Sequence, residues 1–461
     1  MQPSSARQSG NYWLTKTNFI PFEANLMSAL LSDIAREKGI RYFLICFTDL
    51  FGVQRAKLVP AQAIDTMANG AGFAGFAAWL DMTPADPDVL AIPDPNSLFQ
   101  LPWQPEVAWM PADLYTMDGQ PVAQTPRLVL KRVLQQAQDL GYSVRTGVEC
   151  EYFLLSPDGE QISDGRDRAS KPCYDQQSLM RRFDVISQIC NAMLELGWGA
   201  YQNDHEDANG QFEMNWMYAD ALVTADRHAF FKYMVKAIAE KHGYRATFMP
   251  KPFRNLTGNG CHTHISVWDN AGIANLFHDP QGELGLSTLA YEFIGGVLHS
   301  AEALCALTNP TVNSYKRLHA PVTASGATWS PNTVSYGGNN RTHAIRIPDS
   351  GRFELRLADG AANPYLLPAA LIAVGLDGMA QKRDPGRRYD NNNYTHPLPP
   401  GTVKLLPTNL LDALRCLEGN TVLSQALGQD FVASYLKLKH QEWHDYSTFI
   451  SSWELENTLD C

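Results

Sequence analysis

Basic residues are scarce in this chain: Lys and Arg total 37 against 48 Asp and Glu, a formal net charge of −11. That balance argues against a general nucleic-acid binder and against adhesion to anionic membranes, while surplus acid is suited to holding metal cations. Long apolar runs are missing too. The longest, around Leu366 to Leu376, falls far short of the roughly 20 residues that span a bilayer and contains a proline, so no transmembrane helix is expected. The opening segment, MQPSSARQSG, is polar and has no apolar core of a secretory signal, from which a cytoplasmic location is expected. Eight cysteines (46, 150, 173, 190, 261, 305, 416 and 461) are scattered without CxxC spacing, which favours reduced, mostly buried thiols over a disulfide framework. A GxSxG elbow, a P-loop, a dinucleotide fingerprint, an internal repeat and a low-complexity tract are all absent from the sequence.

What is present is ample core material. Hydrophobic residues make up 45% of 461, enough for two domains, or one large domain and a smaller module, at about 150 residues per domain. Apolar spacing over Asn25 to Lys38 predicts a helix, and RYFLICFTD and VQRAKLVP read as two strands around a turn at Leu50 to Gly52. Prolines at 84, 87, 93, 95, 102, 105, 111, 121 and 126 are too dense for long helices or central strands, so this stretch is expected to form the boundary. Thr125-Pro126 then opens a helix with Leu130, Val133, Leu134 and Ala137 on one face, ending near Gly141. Further helices are expected over Asp175 to Leu196, Asp220 to His242, Ser287 to Leu307 and Pro364 to Met379, with Gly197 and Gly243 as stops. Strands are expected at SVRTGVECEYFLL, GQFEMNW, CHTHISVW, HAIRIP and RFELRL.

These strands carry the chemistry. Side chains two apart on a strand share a face about 6.5 to 7 Å apart, so Glu149 pairs with Glu151, His262 with His264 and Glu354 with Arg356. Glu206 in NDHED and Glu213 in GQFE bring the set to five glutamates and two histidines. A mostly carboxylate donor set with one or two imidazoles suits Mg²⁺ or Mn²⁺, and a pair of such ions clamps phosphate oxygens during displacement at phosphorus. Five arginines, 317, 341, 346, 352 and 356, crowd into 40 residues, as bidentate contacts to phosphate or carboxylate require. Glycine-bearing loops, LTGNG and YGGNNR, allow close backbone approach to a ligand.

Taken in order, GVECEYFLL, DHEDANGQFE, ATFMPKP, GCHTHIS, FIGGVLHSAEAL, TNPTVNSYKRL, NNRTHAIRIP, RFELRLADGAANPYL and GLDG resemble the catalytic-domain motifs of the glutamine synthetase family, densely over residues 126 to 380. The resemblance implies an α+β fold: a small N-terminal β-grasp domain with its proline-rich boundary, residues 1–120, and a large catalytic domain of curved antiparallel sheet and helices, residues 121–461. It also implies a homo-oligomer of stacked hexameric rings, a homododecamer, with active sites formed between neighbouring subunits. The implied reaction is ATP-dependent: glutamate becomes γ-glutamyl phosphate, and an amine displaces phosphate to give the γ-amide. Glu151, Glu206 and Glu213 would form one metal site, and Glu149, His262 and Glu354 a second, with two or three Mg²⁺ or Mn²⁺ in all. His264, Ser266, Arg346 and Arg352 would lie near ATP, and Gly258, Arg317 and Arg356 would hold glutamate. Arg341, Glu206 and Arg317 are the residues expected to act in catalysis, Arg341 over the phosphoryl group in flight.

Two departures concern the amine. Ammonia-using members carry an Asp in an F-D-G-S-like segment and a Glu on a flap after KRL. Here the first reads GFAGFAAW, with Ala74 at the Asp position, and the flap HAPVTASGATWSPN has no acid between Arg317 and Asp349. Phe73, Ala74 and Trp329 are therefore expected to line an apolar amine pocket that admits methyl or ethyl substituents. The pattern resembles the branch holding type III glutamate-ammonia ligase and γ-glutamylmethylamide synthetase. A ligase for a larger amine such as a polyamine, or a non-enzymatic structural relative, stands as the alternative. Asp204 replaces a His common in the family, and Tyr394 in NNNYTHPLPP is expected to be an ordinary loop tyrosine.

Overall fold

The computed structural model describes residues 21–67 and 70–461, with 21–28 described by backbone alone. The polar opening segment lies outside the described residues. Among those described, no helix is long and apolar enough to cross a membrane.

The N-terminal part is a helix, Pro21–Lys38, and a mixed sheet ordered Gln54–Pro60, Tyr42–Thr48, Val107–Tyr115, Val89–Pro93 and Ala71–Phe73. The hairpin around Leu50 to Gly52 forms as expected, with Tyr42 opposite Pro60 and Thr48 opposite Gln54. One expectation fails here. The proline-rich stretch contributes the central strand, Val107–Tyr115, buried along almost its whole length and carrying Pro111 in its middle. The strand changes neighbours at that residue: it runs parallel to Tyr42–Cys46 up to Pro111 and antiparallel to Leu90–Pro93 from Ala112 onward. Proline lacks only an N–H, and at the changeover its carbonyl still accepts from Asp94 N at 2.8 Å.

Beyond it, two sheets carry the strands singled out by their charges. One is ordered Ala219–Asp220, Tyr142–Cys150, Cys261–Asp269, Phe353–Leu355, Ile345–Arg346 and Tyr336–Gly337; the other Arg245–Thr247, Tyr152–Leu155, Gln211–Trp216 and Ala200–His205. The single long strand expected for SVRTGVECEYFLL is thus two strands in two sheets, broken at Glu151. Helix Pro126–Asp139 starts at Pro126 as expected, and Ala221–Lys241 and Leu366–Gln381 match their patterns closely. The other two long helices each divide: Gln176–Met180 from Phe183–Glu195, and Thr288–His299 from Ala301–Thr308 at Ser300, whose backbone leaves helical geometry. All eight cysteines are free thiols.

Among the described residues two large apolar cores form, besides a small cluster of Phe153, Leu155 and Ala208. One lies between the N-terminal sheet and the helix before it, and the larger gathers the long helices behind the two acid-bearing sheets. Arg127 joins the two parts. Its guanidinium donates to Asp94 Oδ2 at 2.8 Å, Asp113 Oδ1 at 2.9 Å and Asp226 Oδ2 at 3.0 Å, from the N-terminal sheet, its loop and helix Ala221–Lys241.

Candidate active site

The acidic side chains converge at the seam where the chain leaves one sheet for the other. In the first sheet His262 stands opposite Glu149, and His264 opposite Glu354, which in turn faces Arg346. His262 Nδ1 lies 3.7 Å from Glu149 Oε2, 3.8 Å from Glu151 Oε1 and 3.7 Å from Glu354 Oε1. The break at Glu151 explains how both Glu149 and Glu151 reach one imidazole: Glu151 N donates to Gly260 O and Gly260 N returns a 2.7 Å bond to Glu151 Oε2, folding the second carboxylate back over the first sheet. Gly260 has no substitute there, because a Cβ would meet His262 Nε2 at 2.8 Å and Arg317 Nη2 at 2.9 Å.

Donor atoms of Glu149, His262 and Glu354 gather closely enough for a shared cation, as the second expected site requires; so do those of Glu151, Glu213 and His262, and of Asp204, Glu206 and Glu213. The expected all-carboxylate set, Glu151, Glu206 and Glu213, is therefore divided. Glu213 serves both halves, and Asp204 joins. Asp204 was missed as a donor, yet its place follows from pairing: strands Ala200–His205 and Gln211–Trp216 are antiparallel neighbours with Asp204 directly opposite Glu213. Like charges facing each other across a ladder are destabilising unless something positive lies between them.

Electrostatics separate these groups. Burial, then the neighbouring Glu151 and Asp204, holds the Glu206 carboxyl well above the usual range, and burial with Glu149 and Glu206 does the same to Glu213. Asp204 is pushed up to about 6 by burial and by Glu149 and Glu151, against a hydrogen bond from Gln202. Glu354 goes the other way: burial alone would raise it, but Arg356, His262 and His264 bring it down to about 2. Arg346 Nη1 donates to Glu354 Oε2 at 2.7 Å and Arg356 to Glu354 Oε1. Arg352 donates to His264 Nδ1, which leaves the Nε2 proton of that ring for Glu149 Oε1 at 2.9 Å. These features fit a divalent cation: three crowded carboxylates that, among the described residues, have no Lys or Arg partner, and a buried His262 Nε2 without a hydrogen-bond partner, present hard oxygen donors and one imidazole.

Two cavities meet here. The first, about 390 Å³, is lined by Arg145, His264, Ser266, Trp268 and Arg352 among others; the second, about 530 Å³, by Glu151, Glu206, Glu213, His262, Trp329, Arg341, Arg346 and Arg356. Glu149 and Tyr201 belong to both walls. Of the four residues expected near ATP, Arg346 is the one in the second cavity. Arg317 is enclosed beneath, donating to Leu357 O at 3.2 Å, and packs on Gly258, where a Cβ would meet Pro250 O at 2.3 Å. Within one chain, Phe73 and Ala74 line neither cavity. Phe73 packs edge-on against Phe47, with Lys57 over its ring, so Trp329 alone of the expected amine pocket reaches the site.

Sequence order hid other neighbours. The flap has no acid of its own, but Asp207 reaches it from the other side: Thr257 Oγ1 donates to Asp207 Oδ2 at 2.9 Å and Ser325 Oγ donates to the same oxygen. Gln211 Nε2 donates to Glu151 Oε2 at 3.0 Å, and His205 bridges Asp167 and the Glu206 carbonyl, fixing the end of the strand before Glu206. The Tyr394 hydroxyl is enclosed rather than solvated, its titration raised by burial and drawn back toward normal by Arg356 and Arg317.

Curved sheets backed by helices, with clustered acids and arginines between two cavities, define an α+β scaffold that carries candidate metal-binding groups. The chain belongs to the glutamine synthetase family: residues 123–458 match the family model "Glutamine synthetase, catalytic domain". It is 61% identical over 435 residues to a glutamine synthetase of Rhizobium meliloti (strain 1021), covering 94% of this chain and 100% of the relative. It is 43% identical to the glutamate–methylamine ligase of Methyloversatilis universalis, over 92% of this chain and 97% of that one. A solved structure described as a GmaS/ADP complex, conformation 1, superposes with a TM-score of 0.89 at 63% identity, covering 94% of this chain and 99% of that chain.

Proposed function

We propose that this chain is an ATP-dependent glutamate–amine ligase, making glutamine from ammonia or γ-glutamylmethylamide from methylamine through γ-glutamyl phosphate. The observation that carries the reading is the convergence of three cation-ready donor groups on Glu213 and His262 beside arginines 341, 346 and 356. The likeness to both a glutamine synthetase and a glutamate–methylamine ligase supports the same reaction and leaves two acceptors.

In this reading, Mg²⁺ or Mn²⁺, two or three per site, is held by Glu151, Glu206, Glu213 and Asp204 and by Glu149, His262 and Glu354, and when bound neutralises and clamps phosphate oxygens. His264, Ser266 and Arg352 bind ATP in the smaller cavity, with Arg346 in the wall of the larger cavity beside it. Gly258, Arg317 and Arg356 hold glutamate, the glycine by giving the ligand room and the arginines by charge. Arg341 stabilises the phosphoryl group as it passes between them; in-line transfer needs positioning and charge cancellation more than covalent help. The division into residues 1–120 and 121–461 goes with this assignment and is supported by the separate N-terminal core. So does assembly in stacked hexameric rings in the cytoplasm, where Phe73 and Ala74 from a neighbouring copy complete the amine pocket around Trp329.

The test incubates the purified protein with ATP, Mg²⁺ or Mn²⁺, glutamate and ammonia, methylamine, ethylamine or putrescine, and measures phosphate release. Amine-dependent phosphate release with product amide is expected. Methylamine is expected to equal or exceed ammonia in kcat/KM, since one methylene in an apolar pocket is worth about 1 to 3 kcal/mol. No release with any amine would overturn the ligase reading; a large preference for ammonia would overturn the apolar pocket alone. Mixed assemblies of variants from the two domains test the shared site, and failure to recover activity counts against it.

A further inference from the structure

Behind the acid-bearing face lies a different donor set. Cys150 sits between Glu149 and Glu151, and Cys261 precedes His262; the two cysteines are directly opposite partners in the antiparallel ladder, and their side chains point the other way, into the apolar core. His228, on helix Ala221–Lys241, meets them there. Both cysteines are 0% exposed and His228 is 1% exposed. The donor atoms of all three lie within 4.8 Å of one another, and Cys261 Sγ is 3.9 Å from His228 Nε2.

We propose that Cys150, His228 and Cys261 form a site for a thiolate-seeking d¹⁰ cation, Zn²⁺ or Cu⁺, separate from the carboxylate site on the opposite face. Metal–sulfur bonds of about 2.3 Å and metal–nitrogen bonds of about 2.0 to 2.1 Å place two donors on a shared ion about 3.5 to 3.8 Å apart, close to the spacing of this sulfur and nitrogen. A neutral S–H···N contact at 3.9 Å is by contrast long and weak. Softness separates the two faces: carboxylates favour Mg²⁺ and Mn²⁺, whereas two sulfurs and an imidazole favour Zn²⁺ or Cu⁺. Binding releases the two thiol protons to solvent as the metal–sulfur bonds form, with no change of oxidation state. Two thiolates balance Zn²⁺, and with Cu⁺ the remaining negative charge faces Lys232, one helical turn beyond His228 and tied to Gly360 O at 2.8 Å. An ion there would fix the register of the two strands that present Glu149, Glu151 and His262 to the cavity.

The test uses the full-length protein produced with zinc or with copper supplied, washed with a chelator that strips the carboxylate site, and analysed for both elements. About one ion per chain is expected, released in step with thiol modification when the native protein is titrated with an organomercurial. Cobalt substitution is expected to give thiolate-to-metal charge-transfer absorption, lost in a Cys150→Ser/Cys261→Ser double variant and weakened in His228→Ala. The organomercurial titration needs no variant, so it stands even if the double variant fails to fold. Absence of zinc and copper under both growth conditions, equal metal content in the double variant, or a Cys150–Cys261 disulfide in the native peptide map would each overturn the proposal.

Discussion

Two buried clusters of acids in this molecule have opposite electrostatics. Around Arg127 three aspartates, 94, 113 and 226, share one guanidinium, with Lys131 adding a second cation to Asp113 and the Tyr365 and Ser97 hydroxyls donating to Asp226. Burial would raise Asp113, yet Arg127 and Lys131 leave it below its ordinary value. Around Glu213 the chain supplies no such cation: among the described residues no Lys or Arg pairs with Asp204, Glu206 or Glu213, and all three are held above their ordinary values. The first cluster is a joint between the N-terminal sheet and the helices behind the site. The second has no cation from the chain, as the proposed metal site requires. Carboxylate burial alone does not tell them apart; the location of the counter-charge does.

Breaking the second cluster should have the largest effect on activity. His262→Ala removes the imidazole shared by three carboxylates and is expected to lower amine-dependent phosphate release by at least about 10²-fold, with the fold retained by circular dichroism. Wild-type turnover would sink the site assignment. In the first cluster, Arg127→Met leaves buried Asp226 without a cation and buried Asp113 with Lys131 alone, and should cost about 3 to 5 kcal/mol of stability, read from urea unfolding. A loss within error of zero would mean the joint is not needed. The sharpest contrast is in sign: Glu213→Gln should stabilise the metal-free protein by about 1 kcal/mol while abolishing the rise in Tm on adding Mn²⁺, whereas Asp113→Asn should destabilise it. Matching signs would erase the distinction.

The smallest effect is a pH trend. Asp204 rises from 3.8 to about 6 on folding, so its contribution to stability is fully present below 3.8 and is lost as pH rises through about 6. Metal-free protein should therefore lose Tm between about pH 4 and 6 relative to Asp204→Asn, and saturating Mn²⁺ should remove the trend. The same slope in both proteins would show that Asp204 is not the group responsible.

Periodicity carried helix Pro126–Asp139, Ala221–Lys241 and the hairpin at Leu50 to Gly52, because proline at a first helical turn, helical apolar spacing and turn chemistry are local properties. It failed at Pro111, where a proline occupies a central strand because that strand changes partners there, and at Glu151, where an unbroken apolar alternation is divided between two sheets. Pairing partners are long-range choices that no local pattern encodes. The same reason hid Asp204 and Asp207, each brought to the site by a neighbour distant in sequence or across a hairpin.

By itself, the sequence determined the chemistry on offer: a net charge of −11, glutamates and histidines at strand spacing, five arginines between 317 and 356, and an ordered series of motifs that names a family. Those depend on residue identity and short-range spacing alone. Only the tertiary structure decided which acids are neutralised by the chain and which are left without a cation from it, because that depends on Coulomb interactions over a few ångströms between groups far apart along the chain. It also decided that Phe73 and Ala74 stay away from the two cavities of their own chain.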